Sequence, residues 1–239
     1  MLPVMLRVDR LSAEYPHSRL GHVLEDVSFA ARAGERIALL GANGAGKSTL
    51  LLSLLGILPV HAGSVEICGI KLDKATQAEA RAKAGLVFQN PDDQLFMSTV
   101  RDDVLFGPLN YHGERPRAEL EDKAAALLGS LGIGRLQDRM SHKLSGGEKR
   151  LAALATVLIM EPRILLLDEP TAFLDPRGRR TLISILAALP QTMLIATHDI
   201  AFAETLATRA IILHNGRIRA DAPLPDILRD ATLLDECGL

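Results

Sequence analysis

The stretch that most constrains the fold of this chain is residues 41–48, GANGAGKS, which has the spacing of a phosphate-binding loop. The apolar run IALL precedes it at residues 37–40, and a helical pattern beginning TLLL follows it from residue 49. A phosphate-binding loop joins a buried strand to a helix, so this context favours it over an ordinary glycine-rich turn. Short runs rich in Val, Leu and Ile also alternate with helical patterns along the chain, which favours an α/β core with buried parallel strands.

The residue types in this loop suit the phosphates of a nucleotide. Glycines let the backbone approach anionic oxygens closely and direct N–H groups at them, at the positive end of the following helix. Lys47 is expected to contact the β- and γ-phosphates, Ser48 to bind Mg²⁺, and Thr49 to reach the α-phosphate. The predicted cofactors are ATP and Mg²⁺. The loop residues assigned to nucleotide binding are Gly41, Asn43, Gly44, Ala45, Gly46, Lys47, Ser48 and Thr49.

Two acidic residues end the apolar run at residues 164–168. Asp168 is the last residue of that predicted strand, where an open α/β sheet places groups that face a ligand, and it is expected to hold Mg²⁺. Glu169 has no lysine or arginine close to it in sequence, so it is predicted to face the γ-phosphate and orient or deprotonate the attacking water. A structural role is the alternative for such an acidic pair, and the phosphate-binding loop makes the catalytic role the stronger one.

A second anion site is predicted at Ser145, Gly146 and Gly147, which precede a helical run from residue 148 to 160. The serine is suited to cap the helix, and the glycines expose N–H groups at its positive end. Taken alone, this pattern indicates a cap and turn rather than a ligand contact. Its combination with Leu144 and Glu148 favours the ligand contact.

Three further residues are candidates for contact with the nucleotide. His198 follows an apolar run at residues 192–197 and is predicted to contact the terminal phosphate, although the Thr-His-Asp sequence also suits a helix cap. Gln89 leads into an exposed connection and is predicted to sense Mg²⁺ and the attacking water. Tyr15 is predicted to stack on the adenine, with packing at a sheet edge as the alternative. The paired acids Asp92 and Asp93 are either a solvated turn or a partner-binding site.

Patterns elsewhere in the chain predict two β layers and a helical insertion. Core strands are predicted near residues 37–40, 86–88, 164–168 and 192–197, and an antiparallel layer near residues 6–8, 11–15, 27–31 and 63–67. An apolar stripe of helical period predicts a helical subdomain inserted over about residues 90–160; it consists of Leu120, Ala124, Leu127, Leu128 and Leu131. Asn215-Gly216 predicts a tight hairpin, and Pro223 and Pro225 open a short helical tail.

Composition excludes several other classes of protein. Lys and Arg number 27 against 29 Asp and Glu, a net charge of −2, which argues against a nucleic-acid binder that neutralises phosphates. Cys68 and Cys237 are far apart and suggest neither a disulfide framework nor a zinc site, which favours a reduced, cytosolic setting. The apolar runs are too short for membrane-spanning helices, and Arg7 and Asp9 come too early for a secretory signal, so we expect neither a membrane span nor export.

Together these motifs resemble those of the ATP-binding subunits of ATP-binding cassette (ABC) transporters. In the terms of that family, Walker A lies at residues 41–49, the Q-loop at Gln89, the signature at residues 144–148, Walker B at residues 164–168 and the switch histidine at His198. The resemblance covers nearly the whole chain. It implies a P-loop NTPase fold of the α/β class: a RecA-like core with an antiparallel β subdomain and an inserted α-helical subdomain, forming one domain over residues 1–239.

The same resemblance implies a dimer and membrane partners. Two subunits would pack head to tail, so that ATP on Lys47 and Ser48 of one meets Ser145, Gly146 and Gly147 of the other. The stretches QNPDDQLF, from residue 89, and LSGGEKR, from residue 144, are most similar to those of energy-coupling-factor importers, including cobalt and nickel uptake ATPases. The implied partners are a transmembrane coupling subunit and a substrate-binding membrane subunit. Asp92 and Asp93 of this chain would contact basic residues of the coupling subunit. The chain would sit peripherally on the cytoplasmic face of the cell (inner) membrane.

Other interpretations of the sequence stay open at this stage. Biotin and other vitamin importers of the same group have similar motifs, and an exporter ATPase is a further possibility within the family. From a different class, a soluble cassette ATPase acting on nucleic acid or ribosomes shares the motif order, but it usually carries a long coiled-coil insertion, two cassettes or a basic surface. The D-loop, residues 172–175, departs from the family pattern in having the bulky Phe173 where a small residue is usual.

Overall fold

The structure is a computed structural model that describes residues 2–14, 23–111 and 116–239. The chain divides into two compact units. The first comprises Met1–Leu86, Arg163–Glu169 and Pro190–Leu239, and the second comprises Val87–Pro162 and Pro170–Leu189. The first unit contains the phosphate-binding loop and the acidic strand end, and the second contains Gly146 and Gly147, which begin a helix.

An antiparallel sheet lies in the first unit, as predicted. Its strands pair in the order β2-β1-β4-β5. They are β1 (Val4–Ala13), β2 (Leu24–Arg32), β4 (Val60–Ile67) and β5 (Ile70–Lys71). Alternating buried and exposed residues along β2 give one face to the core and one to solvent, which is typical of antiparallel sheets.

The prediction of two separate strands near residues 6–8 and 11–15 was wrong, because β1 is one continuous strand. A bulge interrupts its pairing: the register with β2 shifts between Val8 and Leu11, and Arg10 has a positive φ of 46°. Gly63 of β4 faces this bulge, and a Cβ there would lie 2.4 Å from the Arg10 carbonyl oxygen. A bulge inserts an extra residue into one strand, which breaks the alternation that a sequence pattern relies on.

The main sheet of the first unit has the order β10-β9-β3-β8-β7-β6. Its strands are β3 (Arg36–Leu40), β6 (Ala84–Val87), β7 (Ile164–Asp168), β8 (Thr192–Thr197), β9 (Arg209–His214) and β10 (Arg217–Pro223). The predicted core strands are thereby confirmed. The strands β3, β7, β8 and β9 run parallel, and β10 pairs antiparallel with β9. Every residue of β7 and β8 is buried, as expected for parallel strands covered on both faces.

The register of the parallel strands brings three candidate segments to one edge of the sheet. Leu40 pairs with Thr197, and Asp168 pairs with Ala196. The loop after β3, the acids that end β7 and the residues after β8 therefore leave the sheet side by side. Ligands of open α/β sheets bind outside these carboxyl ends.

The helices of the first unit include the predicted one after the phosphate-binding loop. They are α1 (Lys47–Leu54), α2 (Gln77–Lys83), α7 (Ile200–Leu206), α8 (Leu224–Arg229) and α9 (Ala231–Cys237). The turn between β9 and β10 has positive φ at both Asn215 and Gly216, which confirms the predicted hairpin. Pro225 lies in the first turn of α8, so the short helical tail is also confirmed.

Helices dominate the second unit. They are α3 (Val100–Tyr111), α4 (Arg117–Ser130), α5 (Gly146–Leu158) and α6 (Pro176–Ala188). Leu120, Ala124 and Leu128 of the predicted stripe are buried in α4, and Gly132 follows with a φ of +74°. A left-handed glycine after a helix matches the expected stop.

Candidate functional site

The phosphate-binding loop connects β3 directly to α1. Gly44 and Gly46 have φ values of +84° and +105°, which side-chain-bearing residues rarely adopt. A Cβ at Gly41 would lie 2.4 Å from the Leu213 carbonyl oxygen of β9. Glycine is therefore required at these positions by the fold itself, while Asn43 and Gly44 remain exposed at the N-terminus of α1.

The turn of the β9–β10 hairpin is hydrogen-bonded to the backbone of this loop. The Gly216 N–H donates to the Ala45 carbonyl oxygen (3.1 Å), and the Glu25 N–H donates to the Gly216 carbonyl oxygen (2.9 Å). A Cβ at Gly216 would lie 2.2 Å from the Val23 carbonyl oxygen. The hairpin turn thus fixes the loop backbone, a role that its sequence does not reveal.

Lys47 is the first residue of α1, and its side chain is buried. Its ammonium donates to the carbonyl oxygens of Gly41 (2.6 Å) and Ala42 (3.2 Å). The same nitrogen lies 3.5 Å from Glu169 Oε1, in a pair in which both side chains are buried. The structure therefore gives Glu169 a cationic neighbour that its local sequence lacks.

Glu169 follows β7 in an unusual backbone conformation. Its φ is +41°, in the left-handed region where non-glycine residues are uncommon, and only 5% of the residue is exposed. Its backbone N–H donates to the Ala196 carbonyl oxygen (2.9 Å), which holds the turn in place. Strained backbone of this kind is concentrated at functional sites.

The residues after β8 position the Glu169 carboxylate. His198 Nδ1 lies 2.9 Å from Glu169 Oε1, and the Thr197 hydroxyl donates to Glu169 Oε2 (3.1 Å). Thr197 also accepts the Asp199 N–H (3.0 Å), while Asp199 caps α7 by accepting the Phe202 N–H (2.9 Å). Asp199 is thus the helix cap, and His198 contacts the Glu169 carboxylate. The sequence analysis did not identify Thr197, which contacts the same carboxylate from the end of a buried strand.

The residues at this edge fit Mg²⁺ and a nucleotide. The Ser48 hydroxyl is half-buried in the first turn of α1, and the Asp168 carboxylate ends β7, which α1 contacts. Hydroxyl and carboxylate oxygens are ligands that Mg²⁺ prefers. Lys47 and the N–H groups of the loop complement phosphate charge.

In the second unit, Ser145 caps α5 as predicted, and Ser145 and Glu148 each accept a hydrogen bond from the other's backbone N–H. Its hydroxyl accepts the Glu148 N–H (3.4 Å), while Glu148 Oε2 accepts the Ser145 N–H (2.9 Å). The Ser145 backbone hydrogen bond is the main cause that holds the pKa of Glu148 below its ordinary value, and the Ser145 hydroxyl and two nearby arginines act in the same direction. This capping box presents the first N–H groups of α5 at an exposed helix end.

Gly146 and Gly147 are not required by any packing seen among the described residues. A Cβ at Gly146 would lie 3.8 Å from the Phe173 carbonyl oxygen, and one at Gly147 would lie 3.9 Å from a Leu174 methyl group. Both are ordinary contact distances, and both residues have helical backbone. This differs from Gly41 and Gly46, where the chain itself excludes or disfavours a side chain.

Gln89 lies in the second unit as an exposed residue two positions after β6. Its backbone carbonyl accepts a hydrogen bond from Arg150 of α5 (2.7 Å). Asp92 lies 2.6 Å from the ammonium of Lys149, and Asp93 accepts from the Asn90 side chain (3.3 Å). Both acids proposed to receive partner residues therefore already have partners within the chain. Tyr15 lies outside the described residues.

Phe173 has a backbone conformation that favours glycine at this position. Its φ is +62°, and 89% of the residue is exposed. Asp175, two residues later, caps α6 by accepting the Gly178 N–H (2.6 Å). A Cβ in the left-handed region costs roughly 1–2 kcal/mol, so Phe173 is strained without burial to offset it.

Replacing Phe173 with glycine is therefore expected to raise the free energy of unfolding by roughly 0.5–1 kcal/mol, because glycine adopts this φ freely. Urea denaturation of the two proteins measures the change. Phe173→Ala is the matched control: it removes the ring but keeps the Cβ, so its stability should stay at the wild-type value. Equal stabilisation by both substitutions would show that the exposed ring, and not the backbone, is the unfavourable feature.

Among the helices that the structure describes, none combines the length and the apolar character that crossing a membrane demands.

Comparisons with known proteins agree with this geometry. The family model described as "ABC transporter" matches residues 24–172, more than half of the chain. The energy-coupling factor transporter ATP-binding protein EcfA of Methanothermobacter thermautotrophicus is 42% identical, over 98% of this chain and 76% of its own length. The solved structure of cbiO1 from Clostridium perfringens, described as part of the ABC transporter complex cbiONQ, is 34% identical with a TM-score of 0.82, covering 98% of this chain and 94% of its own.

A dimeric structure of the ATP-binding cassette MJ0796 bound to ADP and Pi is also similar. It is 27% identical with a TM-score of 0.83, covering 92% of this chain and 99% of its own. The family match agrees with the phosphate-binding loop, the acidic end of β7 and the glycines that begin α5 after its Ser145 cap. This chain therefore belongs to the ABC transporter family, as an ATP-binding subunit that hydrolyses ATP.

Proposed function

We propose that this chain is the ATPase of an energy-coupling-factor importer that takes up a transition metal ion, cobalt in the first instance and nickel in the second. In this proposal residues 1–239 form a single cassette domain, with a helical subdomain at about residues 90–160. The similarity to EcfA and to cbiO1 supports the importer class. The alternative within the group is a biotin or other vitamin importer, since solute contacts belong to membrane subunits.

Catalysis in this proposal uses the groups assembled at the carboxyl edge of the parallel sheet. Lys47, the loop N–H groups, Ser48, Thr49 and Asp168 would hold the nucleotide and Mg²⁺, and Mg²⁺ would neutralise charge on the phosphates. Glu169 orients the attacking water and accepts its proton at a carboxylate oxygen, while Thr197 and His198 keep that carboxylate in place. A phosphate that attracts Lys47 would release its hold on Glu169.

The observation that carries the dimeric part of the proposal is the pair Gly146 and Gly147. The chain's own packing leaves room for a side chain at both positions. We therefore infer that a group outside the described residues approaches these two glycines closely. A capped helix end with exposed N–H groups suits a phosphate there. We infer that a second copy supplies ATP to this end, and the dimeric state of the similar cassette MJ0796 supports this inference.

Exposed apolar side chains in the second unit support docking to membrane subunits. Phe96 is 63% exposed and Tyr111 is 74% exposed, with Met97 and Leu109 also exposed. Buried Asp103 fixes the backbone of Phe96 and Met97, because its Oδ1 accepts both of their N–H groups, each at 2.9 Å. Burial raises the pKa of Asp103, against the effect of these hydrogen bonds. We infer that these exposed side chains form one apolar patch, since contiguous exposed apolar patches mark interaction sites. The proposed partners are a second copy, a transmembrane coupling subunit and a substrate-binding membrane subunit, with the chain peripheral to the cytoplasmic face of the membrane and not bound to nucleic acid.

Uptake of radiolabelled Co²⁺ by cells tests the proposed function. Cells lacking this chain are expected to lose uptake, which the wild-type chain restores and Lys47→Ala does not. Lys71→Ala, at an exposed lysine of β5, is the matched control and should restore uptake fully. Restoration of Ni²⁺ uptake alone would move the assignment to nickel, and of biotin uptake alone to the vitamin importers. Co-purification with RNA rather than membrane subunits would overturn the importer proposal.

A further inference from the structure

Arg150 has a burial that its motif does not explain. It lies on α5, one helical turn after Gly146, and only 2% of it is exposed. Its two terminal nitrogens donate to consecutive backbone carbonyls: Nη1 to Phe88 (2.7 Å) and Nη2 to Gln89 (2.7 Å). Such short hydrogen bonds from a cation are about twice as strong as neutral ones.

Gln94 makes the reciprocal connection from the loop back to the helix. Its Nε2 donates to the Ala153 carbonyl oxygen (2.8 Å) and to the Thr156 hydroxyl (2.7 Å) of α5. Its Oε1 accepts the Phe88 N–H (3.2 Å). Arg150 of α5 therefore binds the carbonyl of Phe88, and Gln94, which contacts α5, binds the N–H of Phe88. Residues 88–94 and α5 are linked in both directions, and we call these contacts the Arg150–Gln94 clamp.

A third contact lies outside this clamp. Lys149 Nζ pairs with Asp92 Oδ1 at 2.6 Å, but the Asp92 side chain is 56% exposed. Exposed ion pairs contribute little, because solvent screens the charges and the side chains lose freedom. The buried clamp, and not this pair, is expected to determine where the loop backbone lies.

Stability alone does not account for a buried arginine at this position. Removing a guanidinium from water is costly, and hydrogen bonds to two neutral carbonyls offset that cost without supplying an opposite charge. What an apolar side chain does not provide is directional hydrogen bonding to two successive carbonyls. These hydrogen bonds therefore fix the position of the Gln89 backbone relative to α5, the helix that begins with Gly146 and Gly147.

We propose that Arg150 is a positioning residue that holds the backbone of residues 88–94 on α5, so that Gln89 and the glycines of α5 keep one mutual geometry during ATP turnover. This inference rests on the proposed roles of Gln89 and the glycines in the nucleotide cycle. The clamp itself is a property of the free chain and is measurable without nucleotide.

Hydrogen exchange of the nucleotide-free protein tests the clamp directly. Arg150→Met keeps the apolar stem and removes the donors, so the amides of Phe88, Asp93, Gln94 and Leu95 are expected to exchange roughly tenfold faster. Arg150→Lys, which keeps a cationic donor, should give an intermediate rate. Lys149→Met, at the adjacent position of the same helix, is the matched control and should change these rates less than about threefold.

Gln94→Ala, together with Arg150→Lys, keeps the test decisive if Arg150→Met does not fold. Gln94→Ala leaves Arg150 intact and must raise the exchange rates of the same amides. The rates in Arg150→Lys must lie between those of Gln94→Ala and those of wild type. In a double-mutant cycle, Arg150→Lys and Gln94→Ala are expected to be non-additive because they act on one clamp. Wild-type exchange in the Arg150 variants, or a rise no larger than that of Lys149→Met, would overturn the proposal.

The kinetic readout separates this inference from the proposed function. Arg150→Met is expected to lower kcat for ATP roughly ten- to hundredfold with KM nearly unchanged, because Lys47 and its loop are intact. Arg150→Lys should recover part of kcat. A wild-type kcat in a variant with faster exchange would refute the positioning role and leave the clamp standing. Failure of cobalt uptake by the wild-type chain would refute the proposed function and leave the exchange result standing.

Discussion

Glu169→Gln is expected to lower the rate of ATP hydrolysis roughly 10²–10⁴-fold and to leave the affinity for ATP unchanged. The Glu169 carboxylate is buried, and Thr197 and His198 hold it at 3.1 Å and 2.9 Å. Glutamine keeps the shape and accepts the Thr197 hydrogen bond, but an amide does not take the proton of the attacking water. Phosphate release measures turnover, and equilibrium binding of a fluorescent ATP analogue measures affinity.

Glu204→Gln is the matched control for this prediction, because it makes the same change at an exposed residue of α7. Its turnover and affinity should equal those of wild type. A Glu169→Gln protein that hydrolyses ATP at the normal rate refutes the role of Glu169 as the base. Loss of ATP binding in that variant would instead assign Glu169 to the binding site, through its contact with Lys47.

Gly147→Ala is expected to abolish most ATP turnover while leaving the fold intact or slightly more stable. The added Cβ meets only a Leu174 methyl group at 3.9 Å, and alanine favours helical backbone over glycine by up to about 1 kcal/mol. In the proposed dimer the same Cβ displaces the partner's nucleotide, and a shift of about 1 Å in a reacting group lowers rates roughly 100-fold. Thermal unfolding and steady-state ATPase measurements, made on the same preparation, test both parts.

Gly129→Ala provides the control for Gly147→Ala, since it makes the same change in a helix of the same unit. A Cβ at Gly129 would meet no described atom within 4 Å, so turnover should be unchanged and stability slightly raised. If Gly147→Ala keeps wild-type turnover, the glycine has no close neighbour outside the chain and the dimeric proposal loses its main support. If Gly147→Ala unfolds the protein, the packing argument is wrong.

Local patterns along the sequence were sufficient for the elements that carry the site. Continuous apolar runs predict β3, β7 and β8, because parallel strands covered on both faces need no alternation. The cap at Ser145 and the hairpin at Asn215-Gly216 follow from short-range backbone chemistry. Each of these signals lies within a few residues.

Features that depend on distant residues were not predictable from the sequence. The Lys47–Glu169 and Arg150–Gln89 contacts join residues far apart in the chain, and no local pattern encodes them. The bulge at Arg10 breaks the period of β1 without a glycine at that position. Local chemistry also left open why each glycine is present. Neighbouring backbone accounts for Gly41, whereas no described neighbour accounts for Gly147.

The mass of Glu169→Gln in solution, measured with saturating ATP and Mg²⁺, tests most directly whether two copies of this chain enclose the nucleotide. We expect the mass to double when ATP is added, and to remain that of a single chain when Gly147→Ala is combined with Glu169→Gln. A Glu169→Gln protein that binds ATP and still has the mass of one chain would contradict the account.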